Sequence, residues 1–114
     1  MGCKMTQWQA LTSNTLFRTL YYRGKSRSHP ALVTYVRKNR LGFPRVGITT
    51  GKKLGHAVER NRCRRIIREA FRQQTPPIVG GFDIVFVARS RALALKSTDI
   101  AVVMAQHLKE LGVV

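Results

Sequence analysis

Apolar and polar positions change their period along the chain, and each change predicts an element. From Ser13 or Asn14, either of which can cap a helix, Leu16, Phe17, Leu20 and Tyr21 recur at the i, i+1, i+4, i+5 spacing of one helical face, and Gly24 ends the run. The next stretch, HPALVTYVRK, alternates and is rich in β-branched and aromatic residues. It reads as a strand in which Leu32, Thr34 and Val36 oppose Val33, Tyr35 and Arg37. NRLGFP is a turn by composition, and RVGITTG after it is a second β-prone run, so the two runs predict a hairpin.

A helix is expected over about residues 56–73, with Cys63, Ile66, Ile67, Ala70 and Phe71 as its buried stripe. His56 stands at its N-cap and Glu59 where a capping-box acid would be, while TPPIVGG stops it. FDIVFVA sets Phe82, Ile84 and Phe86 against Asp83, Val85 and Val87; both sets are largely apolar, which predicts a central strand covered on both faces. STDIAVVMAQHLKELG closes the chain as an amphipathic helix with Ile100, Val103, Met104, His107, Leu108 and Leu111 inward and Gly112 at its end. His107 on that apolar face reads as a packed core histidine. Residues 1–10 lack periodicity and read as a loose arm, with 11–114 as a single domain; Trp8 packs locally in the arm.

Composition adds a charge problem to this small α/β pattern. Hydrophobic residues make up 44% of the chain, enough for a core and too many for a disordered basic tail. Yet 21 Lys and Arg face only 5 Asp and Glu, for a net charge of +16. Such an excess opposes compaction by self-repulsion, so it calls for an anionic partner, nucleic acid first and an anionic membrane surface second. No stretch approaches the ~18 apolar residues of a spanning helix. MGCKMT fits a loose acylation pattern that recurs by chance, and no signal-peptide core follows it. Cys3 and Cys63 are too few for a disulfide framework, and a reducing cytoplasm is expected.

The charge is concentrated in GHAVERNRCRRIIREAFRQ, residues 55–73. On a helix, Arg60, Arg64, Arg68 and Arg72 form one stripe, with Asn61 and Arg65 beside it, opposite the apolar one. Like charges at this spacing repel by a few tenths of a kcal/mol per pair, so a solvated face gains nothing from them. Guanidinium matches phosphate through two parallel hydrogen bonds, and Lys52 and Lys53 add point charges just upstream.

At these residues the sequence resembles a family. KKLGHAVERNRCRRIIREAFR is similar to the signature of the bacterial ribonuclease P protein, the basic subunit that assists a catalytic RNA in removing 5′ leaders from precursor tRNA. The core of the likeness is Arg60, Asn61 and Arg62, followed by basic residues at 64, 65 and 68. LFRTLYYRGK, ALVTYV, RVGITTGKK and FDIVFVARSRA extend it over most of residues 11–112. His56 stands where the family usually has Asn, and Cys63 replaces a more usual aliphatic residue.

The resemblance implies an α+β fold, a two-layer α/β sandwich of order α-β-β-β-α-β-α with a left-handed βαβ crossover through the Arg-rich helix. The strand missing from the periodicity would lie in GKSRSH. It also implies two RNA-facing surfaces. Lys52, Lys53, Arg60, Asn61, Arg62, Arg64, Arg65 and Arg68 would face the catalytic RNA. A cleft with Phe17, Tyr21, Val33, Tyr35 and Thr49, edged by Arg60, Arg64 and Arg68, would hold the single-stranded leader. Helical spacing alone would put Phe17 and Tyr21 in the core.

The chain has Glu59, Glu69, Asp83, Asp99 and Glu110 as its acids, and no pair of them shares an obvious task, with Asp83 alone in a strand. His29, His56 and His107 are dispersed. This fits the family mechanism, in which Mg²⁺ held by RNA and substrate phosphates activates water and the protein has no catalytic residue or metal site of its own. If six to eight phosphates are neutralised, the log-log slope of affinity against salt would be about −4 to −7. The rival expectation is a ribosomal or assembly protein that binds RNA without assisting cleavage.

Overall fold

A computed structural model describes residues 9–10, 14–51, 54–74 and 80–113. Within them run β1 (Gln9–Ala10), α1 (Asn14–Arg23), β2 (Lys25–Ser28), β3 (Leu32–Lys38), β4 (Arg45–Thr50), α2 (Ala57–Arg72), β5 (Phe82–Ala88) and α3 (Ser97–Glu110), with a 3-10 turn over Ser90–Ala94. From α1 onward this is the expected α-β-β-β-α-β-α order, and β2 is the strand inferred in GKSRSH. Most of the arm, with Cys3 and Trp8, lies outside the described residues. Gln9 and Ala10 pair in parallel with Arg45 and Val46.

The sheet order is β1-β4-β5-β3-β2, which corrects the expected hairpin between β3 and β4. β5 lies between them, antiparallel to β3 and parallel to β4, so α2 serves as the crossover that joins β4 to β5. The turn composition of residues 39–44 requires a reversal of direction but does not choose the neighbour. That choice follows burial: Ile84, Val85 and Phe86 are all fully buried, and only a central strand covers both faces. Asn39 fastens the arrangement, since its backbone N–H donates to Gly81 O at 2.8 Å and its Nδ2 to Asp83 Oδ1 at 2.9 Å. Asp83, without a task in the sequence reading, accepts from Arg45 Nε at 2.8 Å and Nη2 at 2.7 Å across the β4–β5 pair.

α2 and α3 pack side by side on one face of the sheet, which gives the two-layer sandwich. Cys63, Ile67, Ala70 and Phe71 meet Ile100, Met104 and Leu108 above Leu32, Ile84 and Phe86, while Ile66 is only partly buried at the margin. Each large apolar side chain buried here contributes about 1.5–3 kcal/mol. Burial pushes the Cys63 thiol pKa up, against the opposing charge of Arg62, which makes the residue a packing group and not a redox one. On the opposite face α1 covers only part of the sheet, with Leu20 on Val85 and Phe17, Tyr35 and Val87 around them. Its end is held close: a Cβ at Gly24 would lie 2.6 Å from Leu20 O and 3.0 Å from Val36 O. The uncovered remainder of that face is the cleft described below.

His107 is buried on α3, as its spacing predicts, with Nδ1 2.9 Å from Thr34 Oγ1. Burial holds its pKa below the ordinary histidine value, helped by the positive charge of His29 and Arg27 and opposed by Glu110. The unfolded chain therefore binds the proton more readily. The stability that this imidazole contributes is complete above the unfolded pKa of about 6.5 and declines as pH falls toward the folded value. The thermal midpoint is expected to drop on acidification from about pH 7 to pH 5. His107→Gln, which keeps a polar partner for Thr34 but does not titrate, should flatten that dependence, and an unchanged slope would exclude this origin.

Candidate nucleic-acid interface

The start of α2 is set by local chemistry. Gly55 takes a φ of +129°, which a side chain rarely adopts, and turns the chain into the helix. Glu59 then folds back to accept the His56 backbone N–H at 3.1 Å, so the acid expected to cap the helix does so. With the apolar stripe turned to the core, the basic stripe faces out. Asn61, Arg62, Arg64, Arg65 and Arg68 are exposed, and Arg60 is half-buried with its Nε enclosed and without a hydrogen-bond partner among the described residues.

The acids on this helix do little to neutralise it. Glu59 serves the cap, and Glu69 lies 3.8 Å from Arg72. Among the described residues no ion pair reaches Arg60, Arg62, Arg64, Arg65 or Arg68. Lys52 and Lys53 fall outside the described residues.

The cleft consists of two adjoining cavities. One, of about 710 Å³, is lined by Val33, Tyr35 and Thr49 together with Val87, Arg89 and Ser90. The other, of about 430 Å³, is lined by Phe17, Arg18, Tyr21, Thr49, Thr50 and Arg64. Thr49 belongs to both, and Tyr21 stands between them: its hydroxyl is 3.4 Å from Thr49 Oγ1 and its ring meets Tyr35 edge-on at 4.9 Å. All five residues expected in the cleft are thus brought together. Phe17 satisfies both readings, since it packs beside Leu20 and also lines the cavity.

α1 and α2 lie on opposite faces of the sheet, yet side chains of both line one cavity. β1 pairs with β4 only at Arg45 and Val46, so from Gly47 to Thr50 no described strand covers the outer edge of β4. Past that edge Arg64 reaches the cavity that Phe17 and Tyr21 line. Of the three arginines expected along the cleft, Arg64 lines it; Arg60 and Arg68 lie one turn to either side on the same helical face. Thr50 Oγ1, buried and without a hydrogen-bond partner among the described residues, belongs to a residue lining the same cavity. The sequence reading missed Arg18 and Arg89. Arg18 follows Phe17 directly and Arg89 directly follows β5, a placement that could have signalled both.

Comparison with known proteins now bears on this geometry. The family model described as Ribonuclease P matches residues 5–112. The chain belongs to this family. The match begins earlier in the arm than the resemblance alone suggested. A ribonuclease P protein component from Clostridium beijerinckii is 38% identical over 109 residues, covering 90% of this chain and 87% of its own length. Another, from Clostridioides difficile, is 43% identical over 94 residues, covering 80% and 82%. The fold is similar to that of the Staphylococcus aureus RNase P protein, with a TM-score of 0.79 at 32% identity, covering 91% of this chain and 95% of that one. The RNase P protein from Thermotoga maritima superposes with a TM-score of 0.74 at 29% identity, covering 90% and 94%. Among the described residues, no three His, Cys, Asp or Glu side chains come together as a metal site, and no helix is long and apolar enough to cross a membrane.

Proposed function

We propose that the chain is the protein subunit of a bacterial ribonuclease P, which binds a catalytic RNA and the 5′ leader of precursor tRNA at one continuous surface. The observation that carries this reading is the junction at the edge of β4. There an arginine of the uncompensated α2 stripe shares a cavity with Phe17 and Tyr21. Phosphates of folded RNA are held by the guanidinium forks of Arg62, Arg65 and Arg68. Unpaired leader bases stack on Tyr21 and Tyr35, a contact worth ~1–3 kcal/mol per base with little sequence preference. Lys52 and Lys53 extend the phosphate contact before the helix, and Asn61 adds a neutral hydrogen-bonding group to it.

The chemical step belongs to the RNA subunit, with Mg²⁺ held by RNA and substrate phosphates. What supports this is how the protein's five carboxylates are engaged: Asp83 is paired with Arg45, Glu110 with Arg27 and Glu69 with Arg72, and Glu59 and Asp99 each accept a backbone N–H at a helix start. The protein's own part is to screen RNA–RNA repulsion and to favour precursor over mature tRNA, which lacks the leader. This reading places it with its RNA in the cytoplasm.

The test is cleavage of a 5′-extended precursor tRNA by a bacterial ribonuclease P RNA at low Mg²⁺, with and without the protein. The protein is expected to restore cleavage at the mature 5′ end and to cut nothing alone. Tight RNA binding without stimulation would instead favour the ribosomal or assembly reading.

A further inference from the structure

A cavity of about 430 Å³ lies at the other end of the sheet from the cleft. Its cationic wall is Arg23, Lys25, Arg37 and Lys38, and its floor is Val36, Phe82 and Leu111. Val33 of β3 lines the cleft and Lys38 of the same strand lines this pocket. Those two positions are five residues, or roughly 17 Å, apart at ~3.3 Å each, while Tyr35 of the cleft and Val36 of the pocket are neighbours on β3 whose side chains point to opposite faces of the sheet.

The plain explanation for such cations is that they neutralise helix ends. Arg23 is the last residue of α1, and Leu111 and Gly112 follow α3, so two helix C-termini open on the pocket. Each supplies about half a negative charge, or about one together, against four positive side chains. A positive excess of about three remains, and one further carboxylate would leave it positive. All four cations are exposed, and none has an ion pair with a described residue. Glu110 is taken by Arg27 and Asp83 by Arg45. The apolar floor adds a low-dielectric wall, which focuses the field of the cations into the recess.

We propose that this pocket is a second docking site for RNA backbone, taking phosphates of a segment separate from the one that α2 holds. The proposal rests on the RNA-binding function proposed above and adds to it a geometry: the chain bridges two RNA elements across the length of its sheet. A concave pocket with four converging donor groups suits a protruding phosphodiester chain better than it suits a flat bilayer.

The test combines Arg23→Gln, Lys25→Gln, Arg37→Gln and Lys38→Gln and measures binding to a bacterial ribonuclease P RNA over a range of KCl, with backbone footprinting. The slope of log affinity against log salt is expected to become shallower by about 3 to 3.5, since each of the four lost phosphate contacts removes about 0.7–0.9. One protected RNA stretch should disappear while the other and the preference for precursor tRNA persist. An unchanged slope and footprint in a variant that unfolds like the parent overturns the second dock alone. Failure of the unaltered protein to bind the RNA overturns the functional reading instead. Lys38→Glu, which alters one exposed side chain, should shift the slope in the same direction and decides the matter if the fourfold variant does not fold.

Discussion

Arg45→Met is expected to lower the stability of the fold by about 3 kcal/mol, because it strands a buried carboxylate. The Asp83 side chain is only 8% exposed and accepts from Nε and Nη2 of Arg45, whose side chain is 22% exposed. Those hydrogen bonds raise the Arg45 pKa against the opposing effect of burial, so the arginine stays charged. With the arginine gone, Asn39 Nδ2 is the one side-chain donor left to Asp83 among the described residues. One donor cannot replace a full opposite charge. A partner removed from a buried pair costs about 3–5 kcal/mol, and the partial exposure of Arg45 argues for the lower end. For a chain of this size that lowers the thermal midpoint by roughly 10–15 °C.

A second variant separates the worth of the pair from the cost of breaking it. Arg45→Met combined with Asp83→Leu removes both charges, and its stability should recover a good part of the loss. The account fails if Arg45→Met costs less than about 1 kcal/mol, or if the double variant is no more stable than the single one.

The largest functional effect is expected from Tyr21→Leu together with Tyr35→Leu. Leucine keeps apolar bulk between α1 and the sheet but offers no flat face for a base. Loss of one stacked base would weaken leader binding by about 1–3 kcal/mol, or roughly 5- to 150-fold. The loss should appear in the affinity for precursor tRNA relative to mature tRNA, measured with the assembled RNA–protein complex. Affinity for the catalytic RNA itself should hold, because the α2 arginines are untouched. If the precursor preference survives in a folded double variant, these tyrosines pack the fold and the leader lies elsewhere. Tyr22 is 88% exposed but is not among the residues that line the cleft, and it serves as the comparison: Tyr22→Leu should leave the preference intact.

Much of this protein is legible in the sequence because its determinants are local. The 3.6-residue period of Cys63, Ile67, Ala70 and Phe71 marks the buried side of α2, and the same period leaves the arginines outside. His107 follows the rule for α3, and the apolar character of both sides of FDIVFVA marks a central strand. The anionic partner follows from net charge, which does not depend on the fold.

Tertiary structure decided what brings distant segments together. Turn chemistry between β3 and β4 suggested a hairpin, yet β5 entered between them, since the burial gained by a strand covered on both faces outweighs the closure cost of a longer loop. That insertion set Asp83 opposite Arg45 and gave a solitary acid its partner. The uncovered edge of β4 let Arg64 line the same cavity as the aromatics of α1 from the other face of the sheet. Arg23, Lys25, Arg37 and Lys38 are unremarkable as a sequence pattern. They become a pocket when β2 pairs with β3 and the ends of α1 and α3 converge there, because periodicity reports which side of an element is buried and only the closed chain determines what lies across from it.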